Sequence, residues 1–314
     1  MGQFKLLLFS LSLVIISCEN ESNFQDNDGA QQKPLKYSNF FQINTFSGYK
    51  QLLVLNPWKE NSVLASYILI PHHKKVPLNL NSDQKIIRTP IRRAAVLSSP
   101  YIGMMQVFNR TKEIVAVENI EYIYNPEVRA KVKKGDIKEL GSAQNLNIEA
   151  LIEQHPSLII TSVSLDAADS YKVAKNVNIP TIFMAEWMEN TPLARAEWIK
   201  FMGALLDMEE EADSMFRVIE DNYISTKKLV DTSTSYPKVI LGKKYKGTWY
   251  MAGGNSFFAQ FLKDAKSNYF LQTDSSSGSL PLSFETILDS QLDADYWINP
   301  GTSKSLGSIE NDDN

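Results

Sequence analysis

The sequence predicts an α/β protein: two lobes of parallel-type βα units joined by a long rigid helix, with a β-rich extension ahead of them. Three observations predict it. Short apolar runs alternate with helix-length stretches after Arg93, a nearly continuous helical pattern fills the middle of the chain, and the alternation resumes after Pro237. With 314 residues, 43% hydrophobic and 22% charged, the chain is long enough to give each lobe its own core. The division expected is a signal peptide with a lipid-attachment motif (1–18), a flexible tether (19–36), the β-rich extension (37–90), a first lobe (91–190), linker helices (191–231) and a second lobe (232–314).

The N-terminal run LLLFSLSLVII is about a dozen residues, too short for the ~20 that span a bilayer, and reads as a secretory leader. It ends in Ile15-Ile16-Ser17-Cys18, which resembles a bacterial lipobox, so Cys18 is the expected lipidation site; an ordinary signal peptide that contains a cysteine is the alternative. Cys18 is the sole cysteine, so no internal disulfide can form and packing must hold the fold. The polar stretch after it suits a tether that holds the body off a membrane. A net charge of −4 with scattered Lys and Arg gives no footprint for nucleic acid.

In the extension, FFQINTF, QLLVLN and SVLASYILIP read as strands to which no chemistry attaches. His72-His73 falls here, and neighbours on a strand point to opposite faces, a poor chelate. AAVLSS, IVAVE, SLIITS and TIFMA then read as buried parallel strands, separated by helical stretches such as NIEALIEQH and AADSYKVAKNVN. Ligands bind at the carboxyl ends of such strands. The residues to watch are therefore Ser98, Ser99 and Tyr101, then Glu118, Asn119 and Tyr122, then Ser162, then Glu186, Trp187 and Met188.

In the middle, Thr191 is a helix cap with Pro192 at the first helical position, and apolar residues from Leu193 to Leu206 follow at helical spacing. A helix of that span is ~22 Å long and, with Trp198 and Phe201 off the main stripe, apolar on two faces, which suits a spine between lobes or, equally, a plain buried helix. Asp207 with Glu210 resembles a capping box for a second helix. Beyond Pro237, KVILGKK, TWYMAGG, SFFAQFLKDA, NYFLQT, LSFETILDSQ and DADYWINPG continue the βα rhythm. The second lobe is expected to be small or truncated.

No G-x-S-x-G elbow, phosphate-binding loop, H-E-x-x-H or G-x-G-x-x-G occurs, and three histidines offer no triad or zinc site. Gly253-Gly254 reads as a turn. What remains is an aromatic lining: Tyr245, Trp249 and Tyr250 from the second lobe, with Tyr101, Tyr122 and Trp187 from the first. Large aromatics with a few polar groups suit a flat, bulky ligand such as a macrocycle or catechol chelate, although Trp249 and Tyr250 are equally open to a core reading. A serine hydrolase using Ser98 or Ser99, and a structural surface lipoprotein, are the alternatives.

LNIEALIEQHPSLIITS also aligns with LSFETILDSQLDADYWINP, placing Glu149 and Glu285 at equivalent helix starts. Each suits a helix N-terminus by itself; matched on two lobes, they suit docking against paired cations. With AAVLSSPYIGMM, GDIKELGS before NLNIEAL, the spine ENTPLARAEWIKFMGALL and WYMAGGNSFFAQFLKDA, the chain resembles the substrate-binding proteins of ABC importers for iron chelates, haem and cobalamin.

That resemblance implies a helical-backbone periplasmic-binding fold, a ligand in the interlobe cleft that itself contains iron or cobalt, no catalysis and no resident cofactor. It also implies a monomer, lipid-anchored to a bacterial membrane, whose lobe glutamates meet arginines of the permease; Glu149 and Glu285 match those positions. The residues expected at the ligand, from the strand ends and the aromatic lining, are Ser99, Tyr101, Glu118, Tyr122, Trp187, Tyr245, Trp249 and Tyr250. The chain departs from the family pattern in its extension before Arg93 and in His155-Pro156-Ser157 where Lys-Pro-Asp is usual.

Overall fold

Alternating burial in FQINTF shows why this segment is a strand: Phe41 and Ile43 point into a core while Gln42 and Asn44 face outward, and Leu52 and Val54 of YKQLLVL enter the same core. A computed structural model describes residues 30–310, apart from 79, 81–83, 142–144, 164–177 and 302–304. Cys18, the leader and most of AADSYKVAKNVN lie outside the described residues. Strands β1 (Gln31–Gln32), β2 (Phe41–Phe46), β3 (Tyr49–Leu55), β4 (Val63–Pro71) and β5 (Lys85–Thr89) form a five-stranded sheet in chain order. His72 and His73 follow β4 in a turn and not on a strand, both exposed.

This sheet is not a separate module. Its inner face shares one core with the first lobe, where the Phe41 ring packs on Trp198 (4.8 Å) and edge-on to Phe201 (5.6 Å). The Phe183 N–H also donates to the Tyr67 hydroxyl at 3.0 Å. Two buried carboxylates fasten its entry: Glu197 accepts the N–H groups of Lys36, Tyr37 and Ser38 at 2.8–3.0 Å, and Glu189 accepts Trp198 Nε1 at 2.9 Å and the N–H of Asn39 at 3.2 Å. The stretch up to residue 36 was expected to be free tether, but Gln31 and Gln32 already pair with β2.

In the first lobe, β6 (Ala94–Val96), β7 (Ile114–Val117), β8 (Lys138–Glu139), β9 (Leu158–Ser162) and β10 (Thr181–Met184) form a parallel sheet in the order β10-β9-β6-β7-β8. Helices α1 (Ser99–Val107), α2 (Pro126–Lys134) and α3 (Ile148–Glu153) accompany it. Asn125 caps α2 by accepting the Val128 N–H at 2.8 Å, and Gly135, left-handed at φ 87°, ends it.

The linker differs from expectation. Thr191 does cap the helix, accepting the Ala194 N–H at 3.2 Å, but Trp198 divides the expected spine into α4 (Pro192–Glu197) and α5 (Ile199–Leu206). Every residue of α5 is buried, so this stretch is first-lobe core. The connector is α6 (Glu209–Lys228), 20 residues and ~30 Å at 1.5 Å per residue. The Asp207 capping box does not form, because Asp207 turns left-handed to close α5 and its carboxylate accepts Lys50 Nζ at 3.2 Å.

The second lobe contains β11 (Lys238–Leu241), β12 (Lys243–Tyr245), β13 (Thr248–Ala252), α7 (Phe257–Asp264), β14 (Asn268–Tyr269), β15 (Ser279–Leu282), α8 (Phe284–Gln291), β16 (Tyr296–Ile298) and α9 (Leu306–Glu310). Parallel pairing links β14-β11-β16, whereas β12-β13-β15 form an antiparallel sheet. TWYMAGG thus leaves the βα rhythm, because Lys246 and Gly247, both at positive φ, fold the chain back at once. Gly253-Gly254 is a turn as read: a side chain there would strike the carbonyls of Ser276 and Leu271.

Candidate functional site

The order β10-β9-β6-β7-β8 reverses direction between β6 and β9, and in open α/β sheets the carboxyl ends of the strands flanking such a reversal are where ligands bind. Tyr101, one turn into α1 after β6, and Ser162, the last residue of β9, meet there with their hydroxyls 2.6 Å apart. The Tyr101 hydroxyl in turn donates to Oε2 of Glu186 at 3.1 Å, so Ser162, Tyr101 and Glu186 form one relay across three strand ends. Tyr101 is wholly buried. It has no free surface of its own.

Glu186 is 3% exposed, in a 3₁₀ turn after β10. Burial pushes its carboxyl above the ordinary carboxylate range; its own backbone N–H, the Tyr101 hydroxyl and the positive charge of Arg195 oppose that rise. The same burial, joined by the Glu186 charge, holds the Tyr101 hydroxyl protonated far above its usual range. Arg195, on α4, lies with its guanidinium 4.4 Å above the ring of Phe257 on α7. A charge that acts on the first-lobe relay therefore rests on a second-lobe aromatic face. On the connector, the Tyr223 hydroxyl donates to Asp264 at 2.6 Å and Lys227 pairs with the same carboxylate at 2.7 Å.

The other expected residues fall into two groups. Trp187 presents a partly exposed indole, anchored by Nε1 to the Val163 carbonyl at 3.2 Å, and Tyr122 stands exposed on the 3₁₀ turn that Asn119 caps after β7. Glu118 holds this loop through its carbonyl, which accepts the Gly141 N–H at 3.0 Å. Ser99 is the first residue of α1 and half-buried. In the second lobe, the hairpin register puts Tyr245, paired with Thr248, and Tyr250, paired with Lys243, on one face, both exposed. Trp249 takes the other face: it is 5% exposed, bonds through Nε1 to the Leu241 carbonyl at 2.8 Å, and packs on Trp297 and Phe284. Its core reading holds.

Glu149 and Glu285 each occupy the second position of an exposed helix start, behind the caps Asn147 and Ser283. Their helices lead into β9 and β16. The backbone N–H at its helix start and the Ser283 hydroxyl hold the Glu285 carboxyl below its ordinary range. Residue reasoning passed over Arg195 and Phe257. Arg195 carries no local signal beyond being a lone cation in an apolar helix. Among the described residues, no group of three or more His, Cys, Asp or Glu is placed to hold a metal ion, and no helix is long and apolar enough to cross a membrane.

A protein-family profile described as periplasmic binding protein matches residues 95–312. Among curated proteins, an uncharacterized lipoprotein of Methanocaldococcus jannaschii is 28% identical over 242 residues, which cover 74% of this chain and 58% of that protein. The chain spans about three fifths of the length of the curated relatives it matches. Among solved structures, the periplasmic catecholate-siderophore binding protein VctP from Vibrio cholerae superposes with a TM-score of 0.55 at 20% identity, over 71% of this chain and 79% of that one. A possible iron-binding, periplasmic solute-binding protein from Staphylococcus epidermidis gives 0.52 at 22% identity, over 64% and 74%. These two share the α/β architecture described above.

Proposed function

Because this chain belongs to the periplasmic binding protein family, we propose that it is the lipid-anchored solute-binding component of an ABC importer. It captures an iron chelate, haem or cobalamin-like ligand where its lobes meet and delivers it to the permease. The observation that carries this reading is the relay of Ser162, Tyr101 and Glu186 at the strand-order reversal, joined to the second lobe by Arg195 over Phe257. A ligand at that point touches both lobes at once.

The chemistry follows from the residues proposed to line the cleft. Trp187, Tyr122, Tyr245 and Tyr250 offer exposed aromatic surface for a flat ligand, and Arg195 offers a cation to an anionic one. Iron or cobalt would arrive inside the chelate as cargo. The names of the Vibrio and Staphylococcus proteins, for a catecholate siderophore and for iron, support the same ligand class. Cys18 would carry the lipid, and Glu149 and Glu285 would dock on the permease. A hydrolase centred on Ser98 or Ser99 is not supported: both lie at the start of α1, His72 and His73 sit in an exposed turn, and the family is one of binding proteins.

The test is a thermal-shift and native mass-spectrometry screen of the chain against haem, cobalamin, a ferric catecholate, a ferric hydroxamate and ferric citrate. A ligand at about one hundred times its Kd stabilises the fold by about 2.7 kcal/mol, a readily measured shift. No shift and no bound mass with any of the five overturns the proposal.

A further inference from the structure

Where the N-terminal sheet meets the turn after β3, a cavity of about 780 Å³ opens, outside both lobes. Gln42 on β2, Asn56 at the end of β3, Trp58 and Asn61 on the turn and Ser62 before β4 line it. The turn is fixed at both ends. The Asn56 N–H donates to the Ser62 carbonyl at 2.8 Å, the Leu55 N–H donates to the Phe40 carbonyl at 2.9 Å, and Asn56 Oδ1 accepts the Trp58 N–H at 2.9 Å. Asn61 completes the reversal in the left-handed region at φ 53°. Trp58 is thereby held out with 38% of its surface exposed.

The lining has a definite chemical character. Four amides and a hydroxyl, each able to donate and accept, share it with the apolar Phe40, Leu55, Pro57, Trp58 and Val63, and among the described residues that line it Glu60 is the one charged group, with no Lys or Arg. The Gln42 and Asn61 amides make no hydrogen bond among the described residues. On the same outward sheet face, Asn44 Nδ2 donates to Gln51 Oε1 at 3.1 Å and Gln51 Nε2 to Ser66 Oγ at 3.5 Å, which extends the row of amides away from the cavity. A phosphate or carboxylate would find no cation here, and an acyl chain would strand the amides. A sugar ring fits both parts: its C–H face suits the indole, and its neighbouring hydroxyls suit amides that donate and accept side by side.

We propose that this cavity binds a neutral sugar, free or within a polysaccharide, independently of the interlobe site. Its volume falls in the range of about 300–1,000 Å³ usual for small-molecule pockets.

The experiment is affinity electrophoresis of the chain through native gels cast with maltodextrin, xylan or mannan, with heparin as an anionic control, followed by calorimetric titration of the matching oligosaccharides and monosaccharides. Retardation by a neutral polymer is expected. Trp58→Ala should weaken it about tenfold, the worth of one aromatic contact, with an unchanged melting temperature. Gln42→Ala, which leaves the turn intact, is the second arm and should also weaken it. Titration of the monosaccharide separates a free-sugar site from one that needs the polymer. Absence of retardation by all three neutral polymers, retardation by heparin alone, or equal retardation of both variants and the parent would overturn the proposal.

Discussion

The guanidinium of Arg195 lies 4.4 Å above the ring of Phe257, and its charge also acts on the buried carboxyl of Glu186. One side chain thus touches the second lobe and also tempers the effect of burial on a carboxyl of the first. Arg195→Ala is expected to lower affinity for the stabilising chelate about tenfold, since a partly desolvated cation–aromatic contact contributes about 0.5–2 kcal/mol. Arg195→Lys should recover part of it. Isothermal titration of both variants decides the matter, and unchanged affinity in Arg195→Ala removes this residue from the site.

The relay at the strand ends makes a separate claim on stability. Tyr101→Phe keeps the buried ring but removes the hydroxyl that bonds both Ser162 and the buried carboxyl of Glu186. The expected cost is about 1–3 kcal/mol, read from urea unfolding at constant slope.

Glu186 has a raised carboxyl, so the folded state holds its proton more tightly than the unfolded one. Its stabilising contribution is full below the ordinary glutamate range and is lost as pH rises through the folded value. Glu186→Gln has no such titration. Relative to the parent, the variant should gain stability as pH rises above the ordinary glutamate value of about 4.3, and parallel stability curves above that point would count against the burial argument.

Glu197 runs the other way. Burial pushes its carboxyl up, but Lys200 and the N–H groups of Lys36, Ser38 and Tyr37 outweigh that and hold it below its ordinary range. Its contribution is present above the unfolded value and lost as pH falls through the folded one. Glu197→Gln removes the negative charge 2.8 Å from Lys200 and leaves that cation with Asp213 at 3.8 Å. It should cost about 1–3 kcal/mol at pH 7, and the deficit should shrink as pH falls below the ordinary glutamate range and the parent protonates.

Charge reversal at Glu149 and Glu285, both exposed at helix starts, is expected to abolish uptake of the ligand in cells while leaving its affinity for the purified protein unchanged. Transport at the parental rate in the double variant ends the docking proposal.

Local pattern reached most of the elements and few of the contacts. Apolar runs located β6, β7, β9 and β10, because strands covered on both faces need continuous apolar sequence. Strand alternation indicated that one of Trp249 and Tyr250 is buried, but only the pairing of β12 with β13 identifies which. The spine was misplaced because ENTPLARAEWIKFMGALL is apolar on two faces; such a helix belongs inside a core, and α5 is buried throughout. The Asp207 box failed because a competing ion pair with Lys50 arrives from β3, far away in sequence. Arg195 gains its meaning from Phe257 in the same way, through a contact that no sequence window contains.

The two carboxylates that clasp residues 36–40 also govern the order in which this chain can fold. The Lys36 N–H meets Glu197 across 161 positions, a contact of very high sequence separation whose loop-closure entropy must be met before it contributes. A chain made from its N-terminus presents β2 to β5 first, apolar on their inner face, long before α4 exists to receive them. Until then their edges are free to pair with other chains. The clasp therefore makes the first strands formed among the last to be secured, and it places the chain's principal aggregation hazard in the interval between the appearance of Phe41 and that of Trp198.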